Sequence, residues 1–357
     1  MKNHLLISVV CLFAFFSACS ENTAELPKEK NSDALNVIMI TDVGGRGDKG
    51  FNDAGWAGCE DARKRLAAQG VKVELNVLES REQTDYEENI SLAAERAEVV
   101  VALGFLISDA VIAVAPHYPE TKFIFIDGPI EAENVASFTF RANEGAFLAG
   151  ILAAFMSKSH KVAVMPGMDI PPVALFAAGY HAGVKTANVL AEINTEVVST
   201  TIGSFTDPVK AKSIAQSLLG QGADVIFQLA GISGVGVIEA VKEHPEKVFA
   251  IGVDINQDDM APGIILTSVL KRMDRVVSDQ IVAVHEGTFQ AGVFDVGLKE
   301  SYVGLTEMEN TRHLVPAPVM QTINRAGELI ASGELNVPRT MEEVASFQVP
   351  LEAFKTP

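Results

Sequence analysis

The sequence predicts an α/β fold of two Rossmann-like lobes with parallel sheets, and three observations carry that expectation. Short β-rich runs alternate with helix-like stretches, the runs are apolar almost throughout, and the whole pattern occurs twice. Continuous apolar strands with helical spacers belong to parallel sheets covered on both faces. The 357 residues, 48% of them hydrophobic, suit about two domains of this kind.

The first series runs VIMI from Val37, VKVELNVL from Val71, VVVALGF from Val99, KFIFID from Lys122 and VASFTF from Val135. Helices are predicted between them, over Asn52 to Ala68 and Asp85 to Ala97. The second series runs KVAVM from Lys161, EVVSTTI from Glu196, DVIFQLA from Asp224, KVFAIGVD from Lys247 and GIILTSV from Gly263. The two series share detail. VVVALGF, a helix and HYPETKFIFID ending at Asp127 parallel DVIFQLAG, a helix and HPEKVFAIGVD ending at Asp254. Thr84-Asp85 opens a helix in one copy and Thr206-Asp207-Pro208 in the other, as a capping residue followed by proline should. The matched order favours internal duplication.

The N-terminus reads as an address. Lys2 precedes an apolar run from Leu5 to Phe16, too short to span a bilayer and of signal-peptide length. Ser17-Ala18-Cys19 resembles the bacterial lipobox, in which the cysteine thiol receives diacylglycerol. Residues 1–18 are therefore expected to be removed, and polar residues 19–36 to tether a body exported to the outer face of a bacterial membrane. Cys11 leaves with the signal and Cys19 takes the lipid, so Cys59 stands alone and no disulfide framework is expected. A net charge of −18 argues against nucleic acid as a partner.

Paired lobes imply a cleft, and ligands of open parallel sheets sit beyond the carboxyl ends of the strands. The first strand end is Thr41 to Gly58, TDVGGRGDKGFNDAGWAG. Gly45-x-Gly47-x-x-Gly50 fits a dinucleotide fingerprint, but Asp42 and Asp48 would set negative charge beside its phosphates.

DVGGRGDKGFNDAGW resembles the first strand-end motif of the basic-membrane-protein lipoproteins, the PnrA-like substrate-binding components of ABC transporters. VALGF, FRANEGAFLAG, GYHAGVK, GSFTDPVKAK, FQLAGISGVGVIEA, AIGVDINQ and LTSVLKRMD continue the likeness through most of the chain. It implies a type I periplasmic-binding fold whose lobes are joined by three crossovers, with an ABC permease as partner and a purine nucleoside such as guanosine, inosine or adenosine as ligand. The lobes are then expected over 37–141 plus about 268–300, and 142–267 plus about 301–357. The implied ligand contacts are Asp42, Phe51, Asn52, Asp109, Phe205, Gly231, Asp254 and Lys271. Gly50 stands where the family usually has serine, and Arg46-Gly47 also departs from its common spelling.

These residue types suit a nucleoside. Phe51 and Phe205 offer rings to a flat base, although each fits a lobe core equally well. Ionised Asp42, Asp109 and Asp254 accept hydrogen bonds from ribose hydroxyls, with a helix start as the other reading of Asp109. Asn52 supplies both donor and acceptor. Lys271 either donates to the ligand or neutralises Asp254. Gly231 admits backbone close to a ligand or simply makes a tight turn. Phe176, Tyr180 and Trp56 read mainly as packing. No cofactor and no metal are expected, because His117, His160, His181, His244, His285 and His313 lack metal-ligand spacing. No catalytic motif stands out, and the chain is read as a binding protein rather than an enzyme. The rival readings are a receptor for a sugar or autoinducer and a nucleoside-cleaving enzyme.

Overall fold

The computed structural model describes residues 33–355, so the signal segment, most of the tether and Cys19 lie outside the described residues. The first lobe starts with β1 (Leu35–Thr41), α1 (Phe51–Ala67), β2 (Val73–Glu79) and α2 (Tyr86–Arg96). It continues with β3 (Val99–Leu103), α3 (Ser108–Val114), β4 (Lys122–Ile126) and β5 (Val135–Phe140). β1 begins at Leu35, so its first two residues fall within the expected tether.

The second lobe follows as α4 (Ala142–Met156), β6 (Lys161–Pro166), α5 (Pro171–Ala191), β7 (Glu196–Ser199) and α6 (Pro208–Gly220). It continues as β8 (Val225–Leu229), α7 (Ser233–Glu243), β9 (Phe249–Asp254) and β10 (Ile265–Lys271). The chain then returns to the first lobe for α8 (Met273–Glu286) and β11 (Gly292–Val296). Finally it crosses back for β12 (Val303–Leu305), α9 (Ala317–Ser332), α10 (Met341–Ser346) and α11 (Leu351–Lys355). The lobes are thus joined at three places. β10 stays in the second sheet to Lys271, so the return crossing lies beyond the expected 268.

Among the described residues the strands form two six-stranded sheets, ordered β2-β1-β3-β4-β5-β11 and β7-β6-β8-β9-β10-β12. The two orders are the same, which fits duplication, and every pairing is parallel except β10 with β12. Both faces of each sheet are covered. Val37 and Met39 enter one core while Ile38 and Ile40 enter the opposite one, all four fully buried. That double burial is why the strand reads as an unbroken apolar run. In the second lobe Val162 and Val164 face one way and Ala163 and Met165 the other.

Helix packing is set by small residues. A Cβ on Gly179 or Gly183 would stand 2.2 and 2.0 Å from the carbonyl oxygens of Asn143 and Phe147, so α5 lies almost backbone to backbone on α4. Asp207 accepts from Lys210 N at 2.9 Å and Pro208 follows it, giving α6 the capped start that its sequence predicts. Thr84-Asp85 differs. These residues close a short 3₁₀ turn before α2, and Asp85 turns back to accept from the amides of Arg81 and Glu82.

Two of the three crossings are stapled together. Arg141 N donates to Val296 O at 2.7 Å, and its guanidinium reaches Glu144 at 2.8 Å and Glu300 at 2.6 Å. Glu144 in turn accepts from Leu298 N at 2.7 Å. Among the described residues no helix is long and apolar enough to cross a membrane.

Candidate ligand-binding cleft

In each lobe the strand order reverses between the first and third strands, β1 and β3 or β6 and β8. Such switch points open crevices at the carboxyl ends of strands. In the first lobe the loop from Asp42 to Asn52 fills that place. Asp42 Oδ1 accepts from Gly44 N at 2.9 Å and from Asn52 Nδ2 at 2.8 Å. Asp48, buried, accepts from the amides of Gly50 at 3.0 Å, Asn52 at 2.7 Å and Asp53 at 3.1 Å. Its carboxylate therefore sits on the amino end of α1, where a pyrophosphate would have to bind. The glycine fingerprint makes the turn, and its anion site is already taken by the chain itself.

Arg46 turns away from this centre. Its guanidinium stacks on Trp56 at 4.2 Å and lies 4.0 Å from Asp53, outside the cavity lining. Trp56 is thus the platform for an exposed loop.

Seven of the eight expected residues line one cavity of about 650 Å³, partly open to solvent, between the lobes. Asp42, Phe51 and Asn52 come from the first lobe, and Phe205, Gly231, Asp254 and Lys271 from the second. Asp109 is the exception. It is exposed in the first turn of α3 and absent from the lining, in the helix-start position that was its other reading. The acid that does line the cavity from this part of the chain is Asp127, just beyond β4. Its signal was present in the sequence, because the duplicated segments end on Asp127 and Asp254 alike.

Each phenylalanine is seated on glycine. A Cβ on Gly104, which has φ +105°, would stand 3.6 Å from the Phe51 ring and 3.3 Å from Asp42 Oδ2. One on Gly167 would stand 2.4 Å from the Phe205 ring, and one on Gly231, with φ +54°, 3.5 Å from Phe205 Cβ. A side chain at Gly167 would collide with the Phe205 ring, whereas a Cβ at Gly104 or Gly231 would meet Phe51 or Phe205 at ordinary contact distance. Phe176 both lines the cavity and packs edge-on against Phe227, while Tyr180 is wholly core.

The charges are unevenly satisfied. Lys271, with 3% of its side chain exposed, makes an ion pair with Asp127 across the lobes, not with Asp254. Its ammonium also lies 4.9 Å from the Phe51 ring centre and 5.2 Å from that of Phe140. Asp254 is buried, and among the described residues no group hydrogen-bonds its carboxylate. Burial pushes its pKa up to about 7, with Lys271 pulling the other way and Asp127, Asp48 and Asp42 adding repulsion. Burial likewise raises Asp42, against its bonds from Asn52 and Gly44. Asn52 Oδ1 is also buried, with no hydrogen-bond partner among the described residues. The cavity thus holds unmatched acceptors beside two aromatic rings. A guest rich in hydrogen-bond donors and flat in part would satisfy both.

Two parallel-sheet lobes, three crossings and a partly open cavity between them define a two-domain solute-binding protein. The match to a family model narrows the class: residues 35–341 fit Bmp, ABC transporter substrate-binding protein PnrA-like, and the chain belongs to that family. It is similar to the ABC transporter nucleoside-binding protein BmpA of Lactococcus lactis, 29% identical over 94% of this chain and 99% of that one. It is also similar to an uncharacterized lipoprotein of Pyrococcus horikoshii, 33% identical over 87% of this chain and 79% of that one. Among solved structures, an ABC transporter solute-binding protein of Aeropyrum pernix K1 superimposes with a TM-score of 0.78 at 32% identity, covering 90% and 98% of the two chains. The chain is accordingly a substrate-binding protein of an ABC transporter.

Proposed function

We propose that the cleft captures an uncharged purine nucleoside and presents it to the permease of an ABC transporter. The supporting observation is the combination in one cavity of Phe51 and Phe205 from opposite lobes with the acceptors Asp42, Asp254 and Asn52. A base stacked on aromatic rings gains about 1–3 kcal/mol per ring. Hydrogen bonds to charged acceptors add about 1.5–3 kcal/mol each. Two stacks and two or three such bonds sum to about 5–15 kcal/mol before costs, a range that spans micromolar binding, about 8 kcal/mol. The related BmpA of Lactococcus lactis is named a nucleoside-binding protein, which agrees with this reading.

Charge selects against nucleotides. Asp42, Asp48, Asp127 and Asp254 surround the cavity with Lys271 as the cation among its lining residues, and Asp48 occupies the helix terminus that favours phosphate. Because the ligand touches both lobes, it favours the closed arrangement by its differential affinity. The body is exported and held at the membrane through lipid on Cys19. A mass spectrum of the small molecule that co-purifies with the protein tests the reading: a nucleoside supports it, and a free sugar or a nucleotide contradicts it.

A further inference from the structure

Gln257, in the loop between β9 and β10, is 4% exposed and fixed on three sides. Its Oε1 accepts from Gln228 Nε2 at 2.8 Å and from Val253 N at 3.1 Å, and its backbone N donates to Ser268 Oγ at 3.1 Å. Gln228 is itself fully buried, with its Oε1 accepting from Ala230 N at 3.1 Å. This glutamine pair belongs wholly to the second lobe. The remaining donor, Gln257 Nε2, crosses the cleft to Lys49 O at 2.8 Å. Lys49 has φ +55°, a conformation that side-chain-bearing residues adopt at a cost, and it lies two residues before Phe51.

We propose that Gln257 is the latch of the closed cleft: a positioning residue that grips the Lys49 carbonyl and so holds the Phe51 loop over the guest. Gln257 itself gains a single hydrogen bond on closure, because its side-chain amide is already oriented by Gln228 and Val253. A preoriented donor loses little freedom on docking, so its effect falls on release of the guest. The contact makes no demand on ligand chemistry; it acts through the loop.

The proposal rests on the reading of the cleft as a nucleoside site. Gln257→Glu keeps acceptors for Gln228 and Val253 but replaces the donor facing Lys49 O with an acceptor. Gln257→Met, of similar length, removes the donor without adding charge. Stopped-flow release of the tightest of guanosine, inosine and adenosine is expected to quicken roughly fivefold or more in both. The association rate should stay within about twofold, and the ligand-free melting temperature should fall, since Gln257→Met also removes the acceptor for Gln228 Nε2 and Val253 N and Gln257→Glu buries a carboxyl. Amide exchange over residues 48–53 should rise in the liganded variants. Unchanged release from both folded variants overturns the latch. If the wild type binds no nucleoside, the functional reading fails, and exchange over 48–53 in the ligand-free protein decides the latch separately: faster exchange in Gln257→Glu supports it, equal exchange overturns it.

Discussion

Asp127 and Asp254 stand at the ends of corresponding strands, β4 and β9, of the two sheets, and both line the one cavity. Both hold left-handed backbone, with φ +84° and +68°. Such backbone in a residue other than glycine is costly, on the order of 1–3 kcal/mol, and persists where surrounding structure enforces it. Their fates differ, since Asp127 holds Lys271 while Asp254 has no partner among the described residues. Corresponding strand ends supply two acids, and a single lysine leaves one of them open to a guest.

The unmatched acid makes stability depend on pH. A carboxyl raised from 3.8 to about 7 stabilises the folded state least when ionised, so its penalty grows as pH climbs through that window. Asp254→Asn, which mimics the neutral acid, is expected to raise the ligand-free melting temperature at pH 8. The gain should vanish near about pH 4, where the wild type is protonated too. Calorimetric melts at the two pH values check this, and an equal gain at both would contradict it.

Phe51→Ala and Asp254→Ala are each expected to weaken nucleoside binding about tenfold or more, by loss of a stack or of a charged acceptor. Phe51 is partly buried, and no group hydrogen-bonds the Asp254 carboxyl among the described residues, so neither change should lower the melting temperature appreciably. Titration calorimetry beside thermal melts separates the two effects.

Lys271→Met removes the cation facing Asp127 and leaves several buried carboxyls uncompensated. The carboxyl of Asp254 should titrate still higher, because Lys271 is what lowers it. Nucleoside affinity is expected to fall, and the pH at which the residual binding is half lost should move upward. Binding isotherms from about pH 5 to 9 read both changes.

Gly50 caps the start of α1 with φ −159° and ψ −115°. A Cβ there would stand 3.9 Å from Asp254 Oδ2 and no closer than 3.8 Å to any other atom. Gly50→Ser should therefore fold normally and bring a hydroxyl within reach of Asp254. A donor to the charged form lowers a carboxyl pKa, so binding should persist to lower pH than in the wild type.

Most of the fold was legible because both faces of each sheet are buried, which leaves the strands as plain apolar runs. β11 and β12 were not, for physical reasons. GVFDV alternates partly exposed positions around Asp295 at a sheet edge, and VGL has only three residues. Strand ends located most of the cavity without coordinates, since chain direction alone puts Asp42, Phe51 and Asp254 at one edge of their sheets. Asp109 and Asp127 show the limit of that inference. Both follow strands, but α3 turns Asp109 outward, and only the packed structure pairs Asp127 with Lys271. The Gln257–Lys49 contact, 208 residues apart in sequence, had no local signal at all.

Titration calorimetry of the purified protein with guanosine, inosine and adenosine, each beside its 5′-monophosphate, bears most directly on the cleft. At least one nucleoside should bind at roughly micromolar affinity or tighter, with its monophosphate bound far more weakly or not at all. Heat from the monophosphates equal to that from the nucleosides, or no heat from any of the six, would contradict the account.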